Sequence, residues 1–326
     1  MIQNMKSTAL IILNFNNYRD TIDCIESVEK YNSAPIKIIV VDNASTAPGA
    51  SEALRDYLIG RYKDQLGVYN DDTVKDVKSD CNLSYCSLIL SDINDGYARG
   101  NNKGLLLAEK DSSIEYIMIL NNDVLFVQDI IPSLVERSDS IPDSALLSPL
   151  LFKRNMDGYD YNCARNDTTL TTEIINYIFH YFFLVFKCDN PLMRRRYLIR
   201  RYKELPQSIK IELPSGSCMF IKIALFKQIE YFDPNTFLYY EENILYRKVK
   251  RINRQNYLFT DLKCIHLGAQ STSKISYSYD KMKKNMASPL YYMKNYYGLN
   301  SIQFALYKAS VYFYLYALRV QKMIKK

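Results

Sequence analysis

Apolar positions cluster into short unbroken runs along the first 120 residues, and each run stops abruptly in polar ones. The runs are Ser7-Thr8-Ala9-Leu10-Ile11-Ile12-Leu13-Asn14, Ile36 to Val41, Ser87 to Leu90, and Tyr116-Ile117-Met118-Ile119-Leu120. Their lack of polar alternation predicts strands buried on both faces of a parallel sheet. Helical spacing fills the gaps. Arg19 to Tyr31 places Ile22, Ile25 and Val28 on one face, and Ala50 to Ile59 is a second helix. A third runs from the loop at 94–104 to about Glu109, and a fourth from about Asp129 to Ser138. Strand and helix in alternation argue for a parallel α/β sheet. Residues 60–85 are polar and poorly patterned, so a surface excursion is expected there.

Beyond Pro149 the pattern loosens. Ile174 to Phe186 is aromatic and almost uncharged, and too short to span a bilayer. Arg194-Arg195-Arg196 and Arg200-Arg201 follow, interleaved with Tyr197, Leu198, Ile199 and Tyr202. Two readings stand side by side: an interfacial membrane segment, or a core helix followed by a solvated basic one. Ile211 to Ile221 is a turn entering a strand. Phe237 to Leu245 leads into a helix reaching about Ile252, with adjacent carboxylates at its start, where acids commonly serve the helix dipole. Tyr257 to Ile265 is a short strand before His266-Leu267-Gly268. The tail from Ser288 is rich in Tyr, Phe and Leu and closes with Lys322, Lys325 and Lys326, an amphipathic and basic pattern.

Chemistry is expected at the polar ends of the strands, since open α/β sheets bind ligands in the crevice at their carboxyl edge. Asn121-Asn122-Asp123 has two readings. It is a polar strand-to-helix turn, or a set of oxygens that holds a hard divalent cation against a phosphate. The loop Asn94-Asp95-Gly96-Tyr97-Ala98-Arg99-Gly100-Asn101-Asn102-Lys103-Gly104 spaces its glycines four apart, so it is not the dinucleotide fingerprint. No nicotinamide or flavin cofactor is inferred. The loop is either a glycine turn with an Asn cap or a group of backbone N–H donors for a phosphate or nucleobase.

Composition narrows the choices. The 326 residues suffice for one large or two modest domains with a real core. With only two His, a multi-histidine metal site is disfavoured and oxygen ligands become the default. Seven Cys without CxxC pairs argue for free thiols in a reducing compartment. Nothing near residue 1 resembles a signal peptide, and a cytoplasmic protein is expected. The net charge of +7 hides an asymmetry. Residues 1–189 carry 17 Lys/Arg against 27 Asp/Glu, whereas residues 190–326 carry 25 against 8. The basic half predicts an anionic partner: a phospholipid surface, nucleic acid or a phosphorylated substrate.

Several stretches, taken in order, resemble the inverting nucleotide-sugar glycosyltransferases of family 2. More narrowly they resemble the rhamnosyltransferase-like bacterial enzymes that build cell-surface polysaccharides. The stretches are ILNFNN at 12–17, VDNAS at 41–45, NDGYARGNN at 94–102, ILNND at 119–123, LPSGSCMFI at 213–221, FLYYEENIL at 237–245 and IHLGAQST at 265–272. Their order and spacing, covering most of residues 7–270, make the combination specific.

The resemblance implies a GT-A fold: a Rossmann-like, mostly parallel sheet with flanking helices, here with an aromatic and basic C-terminal helical extension. Residues 1–150 would bind the donor and residues 151–270 the acceptor, with an insertion near 174–202, and residues 271–326 would form the extension. By resemblance, Asn14 and Phe15, with the backbone around them, and the side chain of Asp42 hold the nucleobase and ribose. Asn94, Gly96, Arg99 and Asn101 line the same pocket. Asp123 takes the last acid of the DxD position as principal ligand for Mg²⁺ or Mn²⁺. Asn121 replaces the first acid, and its neutral oxygen attracts the metal less. His266 matches a histidine near the diphosphate or metal. Glu242 matches the general base, where relatives carry Asp, and its extra methylene keeps Glu241 as a second candidate.

The partners implied are a nucleotide-sugar donor and a glycan acceptor, expected to be polyprenyl-diphosphate-linked. Segment 174–202 and the tail would dock on the anionic inner face of the cell membrane. Two other classes compete. One is a nucleotide-sugar-binding protein that has lost activity, given Asn121 and Glu242. The other is a nucleic-acid-binding protein using the basic, Tyr-rich half, although no such motif is present and no nucleic-acid partner is expected.

Overall fold

A computed structural model describes residues 6–186, 188, 190–268 and 279–324. Positions 269–272 of the last motif, Lys187 and Asp189 of the aromatic and basic segment, and Lys325 and Lys326 of the tail lie outside the described residues. The chain first alternates strand and helix: β1 (Ser7–Asn14), α1 (Tyr18–Tyr31), β2 (Ile36–Asp42), α2 (Ala50–Tyr62), β3 (Leu66–Asn70), a single-turn α3 (Thr73–Asp76) and β4 (Cys86–Leu90). Next come α4 (Gly96–Ala108), β5 (Ile114–Asn121), β6 (Val124–Phe126), α5 (Ile131–Ser140) and β7 (Ser144–Lys153). The remainder is less regular. β8 (Ala164–Arg165) precedes α6 (Leu170–Ile178), α7 (His180–Val185) and α8 (Pro191–Arg194). There follow β9 (Ser208–Ile211), β10 (Leu213–Pro214), β11 (Cys218–Lys222), α9 (Ile223–Gln228), α10 (Glu241–Arg251) and β12 (Gln255–His266). Helices Tyr279–Asn285, Ala287–Asn295 and Ser301–Ile324 close the chain.

One sheet runs β3-β4-β2-β1-β5-β11-β7-β12-β6, with β9 paired to β12. The first five of these strands are parallel. β11 runs antiparallel to β5 and β7, while β12 lies parallel to β7. Alternate residues of a strand face opposite sides, and the core divides accordingly. Leu10, Ile12, Val40, Met118 and Leu120 join α1, α2 and α5 on one side. Ile11, Ile39, Val41, Ile117 and Ile119 join α4, α9 and α10 on the other. This two-sided burial is why the strands read as unbroken apolar runs.

Two stretches depart from the sequence expectation. Residues 60–85 hold an edge strand, β3, parallel to β4. With Gly67 inside it and at best half-buried side chains, β3 carries no apolar signature. The loosening expected after Pro149 begins only after β7, whose residues are buried as far as Leu151. The predicted strand at 257–265 is the core of β12, which reaches from Gln255 to His266 and shifts register twice against β7.

The basic end of the chain has its own core. Tyr307, Val311, Tyr314 and Leu315 form one face of the last helix and pack with Tyr177 of α6, Ile244 of α10 and Tyr292. Its opposite face exposes Ile302, Leu306, Phe313 and Tyr316. Of segment 174–202, α6 therefore packs inward, whereas Phe179, Phe182 and Phe186 around α7 are exposed. Among the described residues no helix is long and apolar enough to cross a membrane. All seven cysteines are free thiols, as their spacing predicts.

Candidate active site at the carboxyl edge of the sheet

The ends of β1, β2, β5 and β12 share one edge of the sheet, as does the turn entering the antiparallel β11. At β1 and β2, Asn14 and Asp42 sit side by side in register, both buried. Asn14 Nδ2 donates to Asp42 Oδ1 at 2.9 Å, and the Ser45 hydroxyl donates to the same oxygen. Asn14 Oδ1 in turn accepts from Thr21 Oγ1 at 2.9 Å. The Asn14 amide is thus spent in holding Asp42, whose Oδ2 accepts no hydrogen bond among the described residues. Phe15 is half-buried in the loop that follows.

Asn43 links this pair to the next loop. Its Nδ2 donates to Asn94 Oδ1 at 3.1 Å and to Gly96 O at 3.1 Å. Gly96 has φ +83°, and a Cβ there would lie 2.1 Å from Phe237 O, so only glycine fits the turn. Gly100 and Gly104 let α4 lie directly on β1 and β2, where a Cβ would come within 2.6 Å of Leu13 and 2.7 Å of Ile11. Asn14, Asp42, Asn94 and Gly96 are therefore gathered, through Asn43. Arg99 and Asn101 turn elsewhere. Arg99 is exposed and donates from Nε to Pro234 O at 2.8 Å. Asn101 is fully buried and donates from Nδ2 to Tyr97 O at 2.9 Å, while its Oδ1 is buried with no hydrogen bond among the described residues.

At the end of β5 the three predicted polar residues divide their work. Asn122 donates to Asn17 O and Thr21 Oγ1, both at 3.0 Å, and so clamps the β1 loop. Asn121 presents its amide 3.4 Å from Ser217 Oγ. Asp123 is buried, and its Oδ1 makes no hydrogen bond. His266 Nε2 approaches that oxygen to 3.4 Å and also lies 3.2 Å from Ser217 Oγ. The other ring nitrogen, Nδ1, is 2.8 Å from Asp160 Oδ2. Burial alone would lower the His266 pKa, but the flanking carboxylates of Asp123 and Asp160 outweigh it and raise the group to about 10. Burial would likewise raise Asp160, yet hydrogen bonds from His266 and the Asn162 backbone hold it below the usual carboxylate range.

α10 supplies the acids. Glu242 Oε1 accepts from Gly216 N at 3.0 Å and faces Arg165 Nη2 at 3.4 Å. Glu241 is buried, and its Oε1 has no hydrogen-bond partner. Burial, then the neighbouring Glu242 carboxylate, raises Glu241 to about 8. Of the two, Glu242 is the one that meets a cation, Arg165. Tyr97 completes the cluster by donating to Gly216 O at 2.6 Å. Sequence reasoning missed several of these participants, among them Asn43, Tyr97, Gly216, Ser217, Asp160 and Arg165. Ser217 and Gly216 lie inside the LPSGS stretch, whose glycine and hydroxyls were visible there. Asp160 and Arg165 stand in weakly patterned chain with no such cue.

The buried Asp123 oxygen, which makes no hydrogen bond and has His266 3.4 Å away, stands with Asn121 as a pair of oxygen donors of the kind that suits a hard divalent cation. Among the described residues no three or more His, Cys, Asp or Glu side chains form a closed metal cage.

A buried Asn14–Asp42 pair, the buried carboxylate of Asp123 and an acid at a helix start therefore share one edge of a mixed α/β sheet. The chain belongs to glycosyl transferase family 2, whose sequence model matches residues 9–230. Its fold is similar to that of GalNAc-T7 in a crystal structure with UDP, GalNAc and Mn²⁺, at 13% identity and a TM-score of 0.58. That match covers 94% of this chain and 55% of the other, so this chain spans about half the length of that one. It is also similar to the mannosyltransferase PcManGT from Pyrobaculum calidifontis in complex with GDP-Man and Mn²⁺, at 13% identity and a TM-score of 0.52. Here 94% of this chain and 69% of the other are covered. No curated protein matches the chain.

Proposed function

We propose that this protein transfers a sugar from a nucleotide-sugar donor to an acceptor hydroxyl with inversion of the anomeric carbon. The observation that supports the reading is that three parts gather at one edge of the sheet: the Asn14–Asp42 pair, the buried Asp123 oxygen that makes no hydrogen bond, and Glu242, bonded to the turn at 215–217. Residues 1–150 form the donor half and residues 151–270 the acceptor half in this reading, with 271–326 an extension. Asp42 Oδ2, Phe15 and the loop at 94–96 receive the nucleoside. Asp123 and Asn121 hold a divalent cation, Mg²⁺ or Mn²⁺, as in the two manganese complexes of similar fold, with His266 beside them. Bound there, the cation stabilises negative charge growing on the leaving diphosphate.

Glu242, ionised, takes the acceptor proton as the new C–O bond forms and the bond to the diphosphate oxygen breaks. The proton ends on Glu242, and the electron pair leaves with the nucleoside diphosphate. Direct displacement needs no nucleophile on the protein. Holding both substrates in one crevice removes much of the entropic barrier. The acceptor we assign is a lipid-linked glycan of bacterial surface-polysaccharide synthesis. The exposed aromatics around α7 and on the last helix would meet the inner leaflet of the membrane.

A donor screen tests the reading. Hydrolysis of one nucleotide sugar, dependent on Mn²⁺ and abolished in Asp123→Ala, is expected. If no nucleotide sugar is bound or cleaved, the reading fails. Membrane association is tested by fractionating a lysate at low and high salt, where release by salt is the expected result.

A further inference from the structure

A cavity of about 1080 Å³ is lined by His266 and Asp160 and by none of Asn14, Asp42, Asn94 or Gly96. Its charge is one-sided. Lys153, Arg154, Arg194 and Arg200 line it, and among its lining residues the one acid is Asp160, already engaged by His266. None of those four cations lies within 4.0 Å of a described carboxylate, whereas Arg137 and Arg247 on other parts of the fold are each paired with an aspartate. Arg200 is held in place by aromatic faces, 4.3 Å from the Tyr161 ring and 5.5 Å from that of Tyr197. A guanidinium stacked in this way keeps its N–H edge free and pre-oriented for a forked contact to phosphate. The opposite wall includes Phe183. From there the apolar surface continues outward over Phe179, Phe182 and Phe186, which are 50%, 51% and 65% exposed.

A cationic floor with an apolar lip matches an amphiphile bearing phosphate at one end. We infer that this cavity is the acceptor's anion subsite, and that it takes the diphosphate head of a polyprenyl-linked acceptor, with the first isoprene units lying along the phenylalanines. The assignment rests on the glycosyl-transfer reading and deepens it. It places the acceptor's head group on Arg194 and Arg200, on the His266 side of the turn whose other side carries Glu242. The uncompensated charge of the basic half thereby gains a specific occupant rather than a diffuse one.

Calorimetric titration of the full chain with farnesyl diphosphate, farnesol and inorganic diphosphate tests it, with nucleotide affinity measured on the same samples. Farnesyl diphosphate is expected to bind at least about tenfold more tightly than either fragment. Arg194→Ala combined with Arg200→Ala is expected to weaken it by roughly tenfold to a hundredfold, the worth of charge-assisted hydrogen bonds, with nucleotide affinity unmoved. Unchanged farnesyl diphosphate binding in that variant would overturn the assignment. So would equal binding of inorganic diphosphate, which would mark a site for free anions. A parallel fall in nucleotide affinity would hand the cavity to the donor instead. Failure of the transfer reading appears separately, as absence of nucleotide-sugar cleavage whatever the prenyl ligand does.

Discussion

Replacing Glu242 by Gln isolates basicity from structure. The side chain is 18% exposed, and its Oε1 accepts one backbone hydrogen bond from Gly216 at 3.0 Å. Glutamine keeps a carbonyl oxygen for that bond and fills the same volume. What it loses is the attraction to Arg165 at 3.4 Å and a negative charge in the first turn of α10. The first is a partly exposed pair worth about 0–1 kcal/mol. The second contributes about 0.3–1 kcal/mol. The stability loss should therefore stay within about 2 kcal/mol, too little to unfold a protein of this size. Removing the general base costs roughly a hundredfold to ten-thousandfold in turnover. The two effects differ enough to be separated. Turnover measured with donor and acceptor saturating, beside a urea melt, should show a dead but folded enzyme. Retention of more than roughly a tenth of wild-type turnover would remove Glu242 from the base role. Loss of activity in Glu241→Gln but not in Glu242→Gln would transfer that role to its neighbour.

Asn121→Asp restores a second charge beside Asp123 and should lower the dissociation constant for Mn²⁺ about tenfold, one added charge–charge interaction of ~1.4 kcal/mol, read by metal titration of the activity. Glu241 is raised to about 8 from 4.5, so the folded state binds a proton that the unfolded state has lost between those values. Its favourable contribution is complete below pH 4.5 and gone above pH 8. The wild type should thus lose up to about 1.4 kcal/mol per pH unit across that window, and urea melts of Glu241→Gln should show a shallower decline. Gly96→Ala sets a Cβ 2.1 Å from Phe237 O at φ +83°. It should cost about 3 kcal/mol or more, and a calorimetric melting temperature within a degree of wild type would refute the turn geometry.

What was legible followed from burial. Strands covered on both faces must be apolar along their length, so β1, β2, β4 and β5 announced themselves, and their polar ends marked the crevice. β3 escaped because an edge strand has one solvated side and needs no such run. Asp160 escaped for a different reason. Its role depends on β12 carrying His266 alongside β7, a contact between residues 106 apart that no local pattern encodes. Arg99 and Asn101 belong to a motif, but the hydrogen bonds they make, to Pro234 O and Tyr97 O, depend on contacts the motif does not spell out.

The turn at 215–217 explains how parts from distant chain segments keep their spacing. Asn121 N donates to Ser217 O at 2.8 Å, which fixes the turn to the end of β5. Ser217 Oγ lies 3.2 Å from His266, on the metal-binding side. One residue earlier, Gly216 N donates to Glu242 and Gly216 O accepts from Tyr97. A Cβ on Gly216 would come 3.0 Å from Glu242 Oε1 and 3.2 Å from Tyr97 Oη, so the close approach of base and turn depends on the absent side chain. Two successive peptide units thus tie Glu242 and Tyr97 on one side to His266 and the end of β5 on the other. In the proposed transfer reading, this turn sets the separation between the base and the leaving group.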